Sequence, residues 1–331
     1  MPSIVISLVT WNSGKSIKAT IESVLKQNYS NFELHILDND SKDNTCKIIE
    51  LFNDERIVFQ RNSENKGFCG GHNHIINSTD SDLVLLLNPD VILNEDYLSI
   101  ALETFDVSDN IGIVCGLLLQ NNSENPIIDS AGIVFQKDRR FSLRYHNLNI
   151  NRVKLVTEEV FGSDGALMLL SRKFIDDIKI MGDFFDPMFF AYKEDWDISW
   201  RARLLGWKTY FNPNSRAIHP RVFHSNSVDI RKKLPSFIKY HAVKNQFLLL
   251  FKNEDIKNFL VDSPLIIYRQ ILVLVYILLF EKTSLKAYKY FIGNFSKILI
   301  KRRLIQKKRK MSSSAIRKLS EKFRKDIEYI S

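Results

Sequence analysis

The chain opens on a nearly continuous apolar run, Ile4–Thr10, with no polar alternation. Such a run suits a strand covered on both faces, as in a parallel sheet. Behind Ser16, a candidate cap, Ile17, Ile21, Val24 and Leu25 recur at helical spacing. Phe32–Leu37 predicts a second strand, Asp43–Phe52 a helix, and Arg56–Gln60 a third strand. A glycine-rich stretch, Asn65–Asn73, leads into a further helix. Leu83–Leu87 follows as five apolar residues in a row, stopped by Asn88-Pro89-Asp90. Pro89 cannot extend a ladder, so the strand ends there. Asp90 thus stands just past the carboxyl end of a buried strand, where open α/β sheets collect ligands, although Asn-Pro-Asp is also ordinary turn chemistry. Strands alternating with helices predict a parallel α/β sheet with Thr10, Asp38 and Asp90 at one edge.

The pattern loosens after residue 110. Ile111–Leu119 and Ile127–Phe135 read as strands, extended or antiparallel, and the polar stretch 136–158 as a loop placed to cover a site. Gly165–Leu170 predicts a short buried strand and Arg172–Ile180 a helix. Phenylalanines crowd ahead of Glu194-Asp195-Trp196-Asp197, and Asp195–Leu205 predicts a helix stopped by Gly206. Asp197 and Arg201, four apart, suit a structural pair along that helix. Glu194 and Asp195 sit at its start, where two adjacent carboxyls among aromatic residues are candidates for a raised pKa and proton transfer. Tyr240–Lys252 is amphipathic. Leu265–Phe280 is the most apolar segment, but it is interrupted by Arg269 and Gln270 and is shorter than the ~20 residues a span requires. An interfacial or buried helix is expected there.

Charge changes this picture only at the end of the chain. The net charge of the 331 residues is +9, yet residues 281–331 hold 16 Lys/Arg and 4 Asp/Glu, a net +12, leaving 31 and 34, a net −3. That asymmetry argues against a nucleic-acid groove across the main domain. Lys301–Lys310 contains seven cations following an apolar segment, a pattern that points to an anionic membrane surface engaged by residues 265–310. The competing readings are a nucleic-acid cluster, a solvated basic helix, and an oligomer contact through residues 265–280. The three cysteines have no metal or disulfide spacing, and no basic leader precedes the first strand, so a cytoplasmic location with reduced thiols is expected.

Taken in order, the segments Val9-Thr10-Trp11-Asn12, Leu37–Asp43, Asn65-Lys66-Gly67-Phe68 through Asn73, Leu87–Asp90, Gly162–Leu169, Glu194–Arg201 and Gly206-Trp207 resemble the inverting family 2 glycosyltransferases, closest to a bacterial rhamnosyltransferase-like branch. The resemblance covers about residues 3–255. It implies a GT-A fold: an α/β, mostly parallel Rossmann-like sheet flanked by helices, with a nucleotide-sugar half (about 1–110) and an acceptor half (about 111–255). A basic helical, membrane-proximal extension would follow over 256–331. It also implies transfer of a sugar from a nucleoside diphosphate to a hydroxyl of a lipid-linked or surface polysaccharide such as O-antigen, at the inner face of the plasma membrane. The donor expectation is dTDP-L-rhamnose, with UDP-hexoses as the alternative. The rival expectation is an inactive nucleotide-binding scaffold.

By the same resemblance, Thr10, Asn12, Asp38 and Asp40 lie at the nucleoside, and Asn65, Gly67 and Asn73 near the donor. The glycines there bring backbone amides close or simply permit tight packing. Asp90 would hold Mg²⁺ or Mn²⁺ against the diphosphate with His219, or failing that His224. Asn88 stands where an older form of the motif has Asp and would contact sugar or a metal-bound water. Asp195 is the expected general base with Glu194 assisting, Gly165 lies at the acceptor, and Trp196 supplies either a sugar-stacking face or core.

Overall fold

The computed structural model describes residues 1–220 and 228–324. The first third alternates as the apolar runs require: β1 (Ile4–Thr10), α1 (Ile17–Leu25), β2 (Phe32–Asp38), α2 (Thr45–Ile49), β3 (Ile57–Arg61), α3 (Gly67–Ser78) and β4 (Leu83–Leu87). These strands pair in parallel, β4–β1–β2–β3. The five apolar residues of β4 serve two cores. Leu83, Leu85 and Leu87 face one, beside Ile4, Ile6 and Leu8, while Val84 and Leu86 face the other, beside Phe174 and Trp200. A strand buried on both faces has no use for polar alternation.

The remaining strands make the sheet mixed. They are β5 (Ile92–Leu93), then after α4 (Tyr97–Glu103) β6 (Ile111–Leu119), β7 (Ile128–Ser130), β8 (Ile133–Phe135), β9 (Phe141–Leu143), β10 (Glu158–Val160) and β11 (Leu167–Ser171). After α5 (Arg172–Ile178) and α6 (Glu194–Leu204) comes β12 (Lys208–Ile218). β11 runs antiparallel between β4 and β6, so the parallel half expected from the sequence ends at β4, although β12 again runs parallel to β6. Ile127–Phe135 is not one strand, because Gly132 breaks it at φ +99°. The glycine-rich stretch does not precede a helix: it is the first half of α3. The polar loop 136–158 contains β9 and is anchored by buried Arg139, which pairs with Glu254 and, at 2.9 Å, with Asp262.

Six further α-helices follow among the described residues: α7 (Val228–Lys233), α8 (Ser236–Asn253), α9 (Ile256–Phe280), α10 (Lys286–Gly293), α11 (Phe295–Lys308) and α12 (Ser313–Arg324). α11 and α12 share the main core, since Ile298, Ile305, Ile316 and Phe323 pack in the cluster that holds Trp200 and Phe174. Two expectations are corrected here. α9 is a 25-residue helix, long and apolar enough to cross a membrane by length and composition, and only 11% of its most apolar window is buried. It is therefore not a buried core helix. The basic run is not a free cationic face either. Lys301 bonds Asp186 at 2.5 Å, Arg302 the carbonyls of Phe251 and Glu254, Lys308 those of Asp177 and Lys179, Arg309 Asp255, and Lys310 Asp177. Five of the seven cations grip the domain.

Candidate active site

Because β1 and β2 are in register through Thr10 and Asp38, their ends lie side by side, and the Thr10 hydroxyl donates to Asp38 at 2.9 Å. Asp38 also accepts from the Ser41 amide at 2.8 Å. Both side chains lie beneath the surface. Asp38 therefore shapes the β2 turn. Asn12, at φ 51°, donates its backbone amide to the Ser41 hydroxyl and accepts the Lys42 amide on its side-chain oxygen. Asp40, at φ 63°, pairs with Lys42. Trp11, between them, is 57% exposed and leaves an aromatic face open beside this turn.

The glycine stretch serves packing. Gly67 has φ +71°, and a Cβ there would meet the Phe190 carbonyl at 2.5 Å. Its N–H is taken by Asn65. A Cβ on Gly71 would strike Val9. Asn73 is corrected from donor contact to structural strut, because it is buried with both amide atoms engaged by the Phe185 backbone.

The β4–β11 pairing connects the segments that carry Asp90 and Asp195. Asn88 donates its amide to the Ala166 carbonyl at 2.9 Å, and the Gly165 amide donates to Asp195 Oδ2 at 3.1 Å. Asp90 and Asp195, about a hundred residues apart in sequence, are thus linked through Asn88 and the Gly165–Ala166 turn. Asp195 Oδ1 also accepts from the Trp196 amide at 2.9 Å. Its helix is launched from a left-handed run, Phe190, Tyr192 and Lys193 at φ 66–72°. Non-glycine residues in that region are strained and persist where the surroundings fix them. Here Asn245 of α8 fixes them by donating to the carbonyls of Phe189, Ala191 and Tyr192.

Glu194 is buried, and its Oε2 has no hydrogen-bond partner among the described residues. Burial, then the neighbouring Asp195, pushes its carboxyl well above the usual range. Asp197 is structural, as its spacing suggested: it pairs with Arg201 at 2.9 Å and with Lys252 at 3.1 Å. Trp196 lies flat on Phe141, centroids 5.0 Å apart and planes 18° apart.

Around Asp90 stands a cluster that sequence patterns only half disclosed. His219, at the end of β12, places Nε2 3.5 Å from Asp90 Oδ1 and Nδ1 2.9 Å from Asp129 Oδ2. Asp129 is fully buried, and its carbonyl also takes His146 Nδ1 at 2.7 Å. Burial would push His219 down, but Asp129 and Asp90 outweigh it and hold the imidazole up at about 9. The readable signal for Asp129 was a carboxylate embedded in the apolar run Ile127–Phe135. His224 lies outside the described residues. Among the described residues no group of three or more His, Cys, Asp or Glu is placed to hold a metal by itself. Asp90 and His219 fit a hard cation that takes its remaining ligands from substrate phosphates, since two cis ligands of such an ion stand ~3 Å apart.

Against known proteins, the model of glycosyl transferase family 2 matches residues 3–178. The chain belongs to this family. Two curated relatives are similar to part of it. A UDP-Glc:alpha-D-GlcNAc-diphosphoundecaprenol beta-1,3-glucosyltransferase of Escherichia coli, WfgD, is 34% identical over 121 residues, 36% of this chain and 47% of the relative. Poly-beta-1,6-N-acetyl-D-glucosamine synthase of Staphylococcus aureus is 24% identical over 209 residues, 62% and 47% respectively. The family 2 chain spans about half the length of the curated relatives it matches. Among solved structures, GalNAc-T7 with UDP, GalNAc and Mn²⁺ superposes at TM-score 0.58 and 16% identity, covering 76% of this chain and 48% of that one. The Pyrobaculum calidifontis mannosyltransferase PcManGT, with GDP-Man and Mn²⁺, gives 0.51 and 12%, covering 88% and 75%. The fold is GT-A, with a mixed sheet flanked by helices.

Proposed function

We propose that the protein is an inverting glycosyltransferase that moves a sugar from a nucleoside diphosphate to a hydroxyl of a lipid-linked glycan during polysaccharide assembly. The observation that carries the reading is the backbone link between Asp90 and Asp195, Asn88 to Ala166 and Gly165 to Asp195. A donor anchor and a base held on one backbone frame are what one in-line displacement requires. Asp90 and His219 would hold Mg²⁺ or Mn²⁺, which stabilises charge on the departing diphosphate. Asp129 keeps the Nδ1 proton of His219, so Nε2 faces the ion.

Asp195, aimed by Gly165, takes the proton of the acceptor hydroxyl as that oxygen attacks the anomeric carbon. Displacement opposite the leaving group gives inversion, and no covalent nucleophile is needed. Trp11 offers an exposed ring on which a nucleobase can stack. UDP-hexoses lead the donor list because WfgD is a UDP-Glc enzyme, with dTDP-L-rhamnose, the donor of the resembling branch, as the second reading. The exposed apolar face of α9 supports a place on the inner membrane surface. A panel of nucleotide sugars tested with Mn²⁺ for thermal stabilisation and turnover decides the reading. UDP-hexose stabilisation that requires metal and is lost in Asp90→Ala is expected; an inert protein across the panel would leave only a scaffold role.

A further inference from the structure

We propose that the groove between α8, α9 and α11 holds the hydrocarbon chain of the lipid-linked acceptor. This rests on the acceptor class proposed above.

The groove is an open cleft of about 570 Å³, within the ~300–1,000 Å³ usual for small-molecule sites. Phe247 and Phe251 of α8, Ile267, Ile271 and Leu274 of α9 and Leu299 of α11 stand in its walls. Its charged or amide side chains are Glu254, Gln270 and Arg302. Two of these have partners within the protein. Glu254 accepts from buried Arg139 at 3.1 Å, and Arg302 donates to the Phe251 and Glu254 carbonyls at 2.9 and 2.7 Å. The rest of the wall is hydrocarbon, and it is uncovered: Phe251, Ile267 and Ile271 are 41%, 49% and 53% exposed. A contiguous apolar surface of this kind marks a ligand or membrane contact. Gln270 is a second, independent sign. Its Nε2 is buried with no hydrogen-bond partner among the described residues. A buried N–H without a partner is costly, and an oxygen at the head of a lipid chain would satisfy it.

Position selects the occupant. On α9, Ile267, Ile271 and Leu274 form one stripe, and the exposed Leu265, Tyr268 and Leu272 form another, roughly a third of a turn round the helix. The groove thus adjoins the outward apolar face of α9, and a chain can pass from one to the other along hydrocarbon. α8 joins the groove to the base. Its Asn245 donates to the Phe189, Ala191 and Tyr192 carbonyls at 3.1, 2.7 and 2.6 Å, and its Gln246 accepts from Lys193 at 2.7 Å. Those residues launch the helix of Asp195, and Phe247, the next residue of α8, already lines the groove. Bulk membrane lipid has no use for a groove built onto the support of the base, whereas the lipid of an acceptor does.

Photo-crosslinking of the full chain with farnesyl diphosphate, carrying a diazirine at the far end of its chain, tests this directly. The label should fall on peptides holding residues 247–251 and 267–274. Excess plain farnesyl diphosphate should displace it, and phosphatidylglycerol should not. Leu274→Trp, whose indole would occupy the groove, should cut labelling about tenfold, the worth of roughly two buried methylenes. Leu272→Glu, on the outer flank, should label like the wild type. If Leu274→Trp does not fold, the two competitions on the wild type carry the test. Label elsewhere, or equal displacement by phosphatidylglycerol, overturns the assignment. So does a stable dimer in light scattering that excludes the label, which would give the groove to a second copy. Metal-dependent binding of UDP or dTDP is the separate control. If that is absent the transferase reading fails; if it is present while the labelling goes wrong, only this inference fails.

Discussion

At the residue scale, the proposed chemistry divides between one carboxylate that would anchor the donor's metal and one that would accept a proton. Asp195→Asn is expected to lower transfer by about 10²–10⁴-fold while leaving Mn²⁺-dependent nucleotide affinity intact; unchanged turnover would remove Asp195 as the base. Asp129 acts one shell further out. Asp129→Asn can present an amide N–H to His219 Nδ1 and so turn the Nε2 proton toward the ion position. Mn²⁺ affinity, read by electron paramagnetic resonance of free Mn²⁺, should fall about 10–100-fold, and equal affinity would mean that His219 is positioned by something else. Asp38 teaches the limit of motif reading. Its place at the end of β2 was legible, but its use was not, because its partners are Thr10 at the end of β1 and the Ser41 amide of its own turn.

At the element scale, the first three strands and β4 were legible because strands buried on both faces leave unbroken apolar runs. The antiparallel insertion of β11 between β4 and β6 left no such trace, since strand direction is set by connections and not by composition. The basic helix α11 was misread for a related reason: a cation's partner is invisible until distant carboxylates are placed. Asp186 is the instance. It is buried, yet Lys252 and Lys301 outweigh that burial and hold its carboxyl below the usual range. Asp186→Asn strands the fully buried Lys252 with Asp197 as its remaining carboxylate, and a loss of about 3–5 kcal/mol in urea denaturation is expected. A loss under 1 kcal/mol would show that α11 does not depend on the Asp186 pair.

At the scale of the whole molecule, pH and salt report how the charges are spent. Burial pushes His72 down to about 3, and burial together with Lys244 pushes His241 down to about 4. Both fold as neutral rings, so as pH falls below 6.5 the unfolded chain takes up protons that the folded chain refuses, and stability declines until the folded values are reached. His72 alone accounts for about 2 kcal/mol between pH 7 and 5. The urea midpoint should drop over that interval, and His72→Gln should shrink the drop; a flat profile contradicts it. Vesicle flotation should in turn resist salt, since five of the seven cations of residues 301–310 already hold the domain, and should weaken in Leu272→Glu, where α9 is exposed. Collapse of binding between 0.1 and ~0.5 M salt would restore the electrostatic route. That same grip sets a practical rule for anyone preparing the enzyme. Cutting the chain at residue 255 to shed its greasy end would bare Trp200 and its neighbours and take Lys301 away from Asp186, giving aggregate in place of a soluble catalytic core. Recoding the outward positions of α9 with polar residues, tail retained, is the route to a tractable protein.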